Sequence, residues 1–144
     1  MELLSIREQI VEVINKLFVY TDAQDWDKLQ REVFTNQVFF DMSSLGGEKM
    51  NTTSKQICQI WKDGFAGIDA VNHLAGNYLI DINGNMADAF AYATATHFKQ
   101  TATQGKTREF VGTYNLHLVK QEVGWRINQF KYNLKYANGN LDLI

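Results

Sequence analysis

Met86-Ala87-Asp88-Ala89-Phe90-Ala91-Tyr92-Ala93-Thr94-Ala95-Thr96-His97-Phe98, running on to Thr101, is the stretch whose reading decides the fold. It reads as a strand. Strand side chains alternate between two faces, so one face carries Ala87, Ala89, Ala91, Ala93 and Ala95, and then His97. The other carries Met86, Asp88, Phe90, Tyr92, Thr94, Thr96 and Phe98. A titratable ring that ends a row of alanines suggests a polar group at the edge of a curved, close-packed face. The plainer alternative is a partly exposed sheet histidine.

The flanks extend this strand into a meander. Upstream, Asn72 to Ile82 reads as a strand entering Asn83-Gly84, a hairpin signal because both residues tolerate positive φ. Downstream, Gln104-Gly105-Lys106 marks a loop, Phe110 to Gln121 a third strand, Val123-Gly124 a turn, and Trp125 to Leu134 a fourth strand.

Toward the N-terminus the periodicity changes. Ser5-Ile6-Arg7-Glu8 has the form of a capping box, in which each side chain satisfies a free backbone donor of the other. Ile6, Ile10, Val13, Ile14, Leu17 and Phe18 recur at helical spacing, predicting an amphipathic helix to about Ala23. Thr21 follows Leu17 by one turn on the buried stripe. Asp22 follows Phe18 in the same way, on or beside that stripe. Asp25 is a plausible N-cap for a short second helix with Trp26, Leu29 and Val33 on its apolar side. Val38 to Met42 reads as a strand and Leu45 to Met50 as a glycine-containing loop. Thr53-Ser54-Lys55-Gln56 opens a third helix with Ile57, Ile60, Trp61 and Phe65 inward. Helices toward one end and antiparallel strands toward the other predict an α+β fold. A strongly bent antiparallel sheet wrapped around a helix makes a cone with an internal cavity, a setting that favours ligand pockets.

A chain of 144 residues suits one domain, residues 1–144, with a real core. Its 45% apolar and 21% charged content is ordinary for a globular protein. A net charge of −2 offers no electrostatic case for binding nucleic acid or an anionic membrane. No apolar run reaches the ~18 residues of a membrane span. The start, Met1 to Glu8, lacks the basic and apolar parts of a signal peptide, so a cytoplasmic location is expected. Cys58 is the only cysteine, which forbids an intramolecular disulfide. It lies among Ile57, Ile60 and Trp61 and reads as a packing residue.

Four polar residues stand where packing alone does not call for them: Asp22, His73, His97 and Asn115. A carboxylate beside an imidazole fixes its tautomer, and an imidazole near neutral pKa exchanges protons with a substrate carbon or oxygen. A carboxamide can hold a substrate carbonyl or hydroxyl, or stabilise an enolate. Together these suit proton abstraction beside a carbonyl, elimination or isomerisation. Each has a plainer alternative: Asp22 as a helix cap, His73 as a satisfied core or rim histidine, Asn115 on a solvent-facing edge. His117 shares the parity of Asn115 and either lines a mouth or faces solvent. Asp41 reads as a turn or cap residue. The histidines lack short metal-ligand spacing, so no metal is expected. There is no Gly-x-Ser-x-Gly elbow and no glycine-rich phosphate loop, so neither a nucleophilic serine nor a nucleotide cofactor is indicated.

Strand parity sets a condition on this constellation. With Asn83-Gly84 as a two-residue turn and a regular ladder, His73 pairs with Thr94, and His97 points to the opposite face. Both histidines reach one cavity only if a bulge or a longer turn shifts the count by one. Gly76-Asn77 is the candidate bulge, because glycine inside a strand often marks one.

Several of these pieces together resemble a known family. They are Tyr20-Thr21-Asp22-Ala23-Gln24-Asp25-Trp26-Asp27-Lys28-Leu29, Val38-Phe39-Phe40-Asp41, His73-Leu74-Ala75-Gly76-Asn77, Ala95-Thr96-His97, Gly112-Thr113-Tyr114-Asn115-Leu116-His117 and Gly124-Trp125-Arg126-Ile127. They resemble the SnoaL-like branch of the NTF2-like superfamily, and within it the scytalone dehydratase-like proteins. The resemblance spans about Ser5 to Asn140. It implies an α+β cone, a curved antiparallel sheet wrapped around the N-terminal helices and enclosing a cavity. It also implies no cofactor and a homo-oligomer, dimer or trimer. By this resemblance Asp22, His73 and His97 are the catalytic proton-transfer residues and Asn115 binds substrate. The family's two tyrosines, which position a water against the substrate carbonyl, fall at Thr21 and Met42. Tyr20 stands about 100° around the helix from Thr21 and is no direct replacement. A dehydrochlorinase of the same superfamily uses a His–Asp pair, which fits the retained residues as well.

The expectation is a cofactor-free lyase or isomerase acting on a small, largely apolar cyclic molecule. His73 is the general base or acid, Asp22 orients an imidazole, with His97 favoured as its partner, and Asn115 binds a substrate oxygen. A non-catalytic ligand-binding protein on the same cone is the alternative. An assembly domain using the outer sheet face is a third reading, which predicts a filled interior.

Overall fold

The N-terminal helix forms as its spacing predicts. The structure, a computed structural model, describes residues 3–144; Met1 and Glu2, the first residues of the stretch read for a leader, lie outside the described residues. Helix α1 spans Ile6–Asp22. Ser5 caps it, accepting from the Glu8 amide at 3.1 Å while its own amide donates to the Glu8 carboxylate at 3.4 Å. Ile10, Val13, Ile14, Leu17, Phe18 and Thr21 form the buried stripe. Asp25 caps α2, Trp26–Lys28, accepting from the Lys28 amide. The chain then continues as a π-helical turn, Leu29–Val33, whose two end residues are fully buried.

Strand β1 runs Phe34–Asp41, starting earlier than the sequence predicts. A short turn at Ser43–Leu45 leads into β2, Lys49–Thr53, where a loop is expected. No residue of β2 is buried, so hydrophobic alternation carries no signal there. Helix α3 spans Ser54–Gly64 and is capped by the Thr53 hydroxyl, which accepts from the Gln56 amide at 3.1 Å. Four long strands follow: β3 Ala70–Asn83, β4 Met86–Phe98, β5 Thr107–Gln121 and β6 Gly124–Gly139.

The six strands form one sheet in the order β2-β1-β6-β5-β4-β3. It is curved and unclosed, with β2 and β3 as its edges. The sheet is not wholly antiparallel as expected, because β1 pairs with β6 in parallel. Hydrophobic period reports which face is buried and is silent on the direction of a partner far along the chain. The alanines of β4 are all buried, as the alternation predicts. Leu116, Leu118, Ile127 and Phe130 continue this inner face, against which α1, the π-turn and Ile57 of α3 pack.

The β3–β4 ladder carries the irregularity that the histidines require. The turn falls at Gly84-Asn85, one residue later than expected, so Asn83 pairs with Met86. Regular pairing continues to Leu79 with Phe90 and resumes at Gly76 with Tyr92. Asn77 and Tyr78 therefore stand opposite the single residue Ala91, which is a bulge. Asn77 takes φ 57°, a left-handed conformation that asparagine tolerates better than most residues. Beyond the bulge His73 pairs with Ala95, and His97 shares the face of Ala95.

Candidate active site

A cavity of about 370 Å³ lies between the inner sheet face, the C-terminal half of α1 and α3. Leu17, Phe18, Ile60, Trp61, Phe65 and Phe130 give it an apolar wall. His73, His97, Arg108, Tyr114 and Tyr132 are its polar or amphipathic lining.

Asp22, at the last turn of α1, holds His73 through two bonds. Its Oδ1 lies 2.6 Å from His73 Nδ1, and its Oδ2 accepts from the His73 backbone N–H at 2.9 Å. The second bond exists because β3 is an edge strand, whose outward amides have no strand partner. A carboxylate accepts only, so His73 carries a proton on Nδ1, and in the neutral ring Nε2 presents its lone pair. Phe18 flanks the ring with centroids 5.4 Å apart. Asp22 therefore partners His73, where the sequence reading favours His97.

His97 has a different partner. Arg108 Nε donates to His97 Nδ1 at 2.9 Å. A guanidinium cannot accept, so Nδ1 carries the lone pair and Nε2 carries the proton. The ring is 8% exposed and packed between Phe65 and Phe110, with centroids 5.4 and 5.5 Å away. Burial, then the Arg108 charge, pushes its pKa down to about 4. The two imidazoles thus share one cavity in opposite tautomers.

The structure does not bring Asn115 to this cavity. Tyr114 and Leu116 of β5 are buried inward, so parity turns Asn115 outward, where its Oδ1 accepts from Asn133 Nδ2 at 2.8 Å. His117 lies on the same outer face, its Nδ1 2.7 Å from Asn128 Oδ1. Both residues line a separate outer hollow of about 550 Å³.

Thr21 and Met42, the positions that the family resemblance matches to tyrosines, line the cavity, but neither offers it a donor. The Thr21 hydroxyl donates back to the Leu17 carbonyl at 2.5 Å, and Met42 has only a thioether. Tyr20 is turned away and donates to Glu32. Tyr132 of β6 also lines the cavity, with its hydroxyl shielded behind the ring. Tyr132 OH is buried without a hydrogen-bond partner among the described residues, and burial pushes its pKa up to about 12. It sits directly over Gly112, where an added Cβ would overlap it. Sequence reasoning missed Tyr132 and Arg108. Arg108 was hidden because β5 begins at Thr107, three residues before the predicted Phe110.

Asp41 is buried and acts as a turn residue, accepting from the Ser43 amide and hydroxyl at 3.0 and 2.6 Å, which lowers its pKa. Cys58 is buried, and desolvation raises its thiol pKa to about 11, as suits a packing residue. No cluster of three metal-ligating side chains and no helix long and apolar enough to cross a membrane occurs among the described residues.

A family model described as a SnoaL-like domain matches residues 2–131. Comparison with curated proteins yields no match. Among solved structures, the Kfla4162 protein of Kribbella flavida is similar with a TM-score of 0.88 at 23% identity, covering 95% of each chain. A provisionally named scytalone dehydratase of Novosphingobium aromaticivorans is similar with a TM-score of 0.76 at 14% identity, over 90% of this chain and 84% of that one. An NTF2-like superfamily protein of Salmonella enterica gives 0.75 at 19% identity, over 94% of each. At these identities the likeness is one of fold.

Proposed function

This chain belongs to the SnoaL-like domain family, and from that premise we propose that it is a cofactor-free lyase or isomerase acting on a small, largely apolar cyclic molecule. One observation carries the reading: a hydrogen-bonded Asp22–His73 pair, 2.6 Å long, opening on a largely apolar cavity. His73 Nε2 is the general base. It takes a proton from a carbon next to an electron-withdrawing group, and the C–H electron pair forms the new double bond. In a dehydration the neighbouring C–O bond breaks, and the leaving oxygen departs as water with the proton returned by the imidazolium. In an isomerisation the proton returns to a different carbon. Asp22 stabilises the imidazolium and holds the ring in its productive tautomer.

A binding protein without catalysis requires no activated base, and the Asp22 contact favours catalysis over that alternative. The open interior likewise argues against an assembly domain with a filled core.

Two probes test the reading: 3-hydroxy-1-indanone, followed for loss of water, and 1-indanone deuterated at C2, followed for washout. The protein should accelerate at least one reaction, and His73→Gln should lower that rate by roughly 10²–10⁴-fold. Ketone bound in the cavity with no acceleration of either reaction would favour the ligand-binding alternative.

A further inference from the structure

We propose that His97 is a fixed neutral hydrogen-bond donor, locked by Arg108, and that its Nε2–H binds the carbonyl oxygen of the ligand. This role split rests on the reading of His73 as base. It also narrows the ligand class to a small, apolar ring bearing a ketone.

The geometry makes the assignment. Arg108 has only donors, and its Nε points at His97 Nδ1 from 2.9 Å. A proton on Nδ1 would set donor against donor, and a doubly protonated ring would also set cation against cation. The ring's remaining proton is therefore on Nε2, which has no partner among the described residues and belongs to a cavity-lining side chain. Arg108 is itself anchored, donating from Nη1 to the Leu141 carbonyl at 2.8 Å and stacking over Phe110. It forms no ion pair among the described residues, and Asp142 is the carboxylate near enough to act on it. Arg108 itself lines the cavity and favours negative charge developing there.

The other polar candidates supply nothing to a carbonyl: the Thr21 hydroxyl donates to the Leu17 carbonyl, Met42 has no donor, and the Tyr132 hydroxyl is shielded from the cavity.

The two histidines then divide the reaction. His73 Nε2 removes the proton next to the carbonyl, the C–H pair becomes a C=C bond, and the carbonyl π pair moves onto oxygen. His97 Nε2–H and the Arg108 charge behind it stabilise that enolate. When the enolate pair returns, it expels hydroxide from the next carbon, and hydroxide takes the proton from His73 as water. The His97 proton never leaves its nitrogen. Arg108 is a positioning residue, since it acts through His97.

The test compares 1-indanone with indane, which has the same ring without the oxygen. Binding is measured by titration, and the ¹³C shift of the carbonyl is read in the complex. The ketone should bind roughly 5–100-fold more tightly than the hydrocarbon, because indane leaves the His97 donor unpaired. Its carbonyl carbon should move downfield. His97→Phe should remove most of the preference and the shift, while indane binding persists. In ¹⁵N-histidine spectra His97 should show a protonated Nε2 and remain neutral down to pH 5. The groups facing it are Arg108, His73 and Asp22. Arg108→Met should let it take a proton at higher pH and weaken the carbonyl shift, and Arg108→Lys, which still donates, should restore part of both. Equal binding of the two probes, a preference that survives His97→Phe, binding of neither probe, or a wild-type His97 that is cationic at pH 7 would overturn the assignment. Deuterium washout from C2 reads His73 separately. A polarised carbonyl without washout retires the base and leaves the donor standing.

Discussion

Asp22 places both carboxylate oxygens on one residue, the ring and the backbone of His73. Two consequences separate by substitution. Asp22→Asn keeps an acceptor but loses the charge that stabilises the imidazolium, so turnover should fall by roughly 10²-fold or more in steady-state assays. Asp22→Ala also strips the edge amide of its partner and should cost about 1–3 kcal/mol in a urea titration. His97 gives a pH signature. Unfolded it titrates near its ordinary value of about 6.5, and folded it titrates at about 4. Between those values only the unfolded chain binds the proton. Stability should therefore fall as pH drops from about 6.5 to about 4, by roughly 3 kcal/mol, and His97→Phe should remove that component of the acid slope. Asp22 and His97 were visible in the sequence as polar residues on or beside apolar stripes, and His73 as a polar residue on the first strand of the meander. The choice of partner was not, since two imidazoles offered the same chemistry and only the fold brings Arg108 to one of them.

Among the elements, the bulge in β3 has the largest leverage. It changes the parity of the strand between the hairpin turn and His73, so without it His73 would face away from the cavity. Deleting Asn77 should abolish the Asp22–His73 contact, with loss of activity and a drop in melting temperature. Asn77→Val keeps the count but forces a branched residue into left-handed backbone, and should cost about 1–3 kcal/mol by chemical denaturation. Gly112 is constrained for a different reason. A Cβ there would overlap Tyr132 OH and meet the Asn133 carbonyl at 2.5 Å, so Gly112→Ala must displace backbone as well as a ring. The need for a bulge followed from parity, and Gly76-Asn77 marked its place to within one residue, since the bulged pair is Asn77-Tyr78. The turn was read one residue early because Asn83-Gly84 and Gly84-Asn85 are both good turn pairs, and only the ladder distinguishes them. Strand β2 was illegible because it buries nothing.

Over the whole molecule, the α+β cone was legible because helical and strand periods occupy separate parts of the chain. The parallel β1–β6 pairing was not, because it joins strands far apart in sequence. The cavity is space left unfilled by that arrangement, and Ala95, between the two histidines, is one of its smallest wall residues. Ala95→Leu should fill part of that space and raise stability by roughly 0.5–2 kcal/mol in a thermal melt. It should also weaken 1-indanone binding at least tenfold.

The bond from the His73 amide to Asp22 gives the site a built-in clock. That amide is exposed to solvent deuterium only when α1 lets go of the sheet edge, and the same event takes the carboxylate from the imidazole. Its deuteration rate therefore counts how often the base is disarmed, with no substrate present.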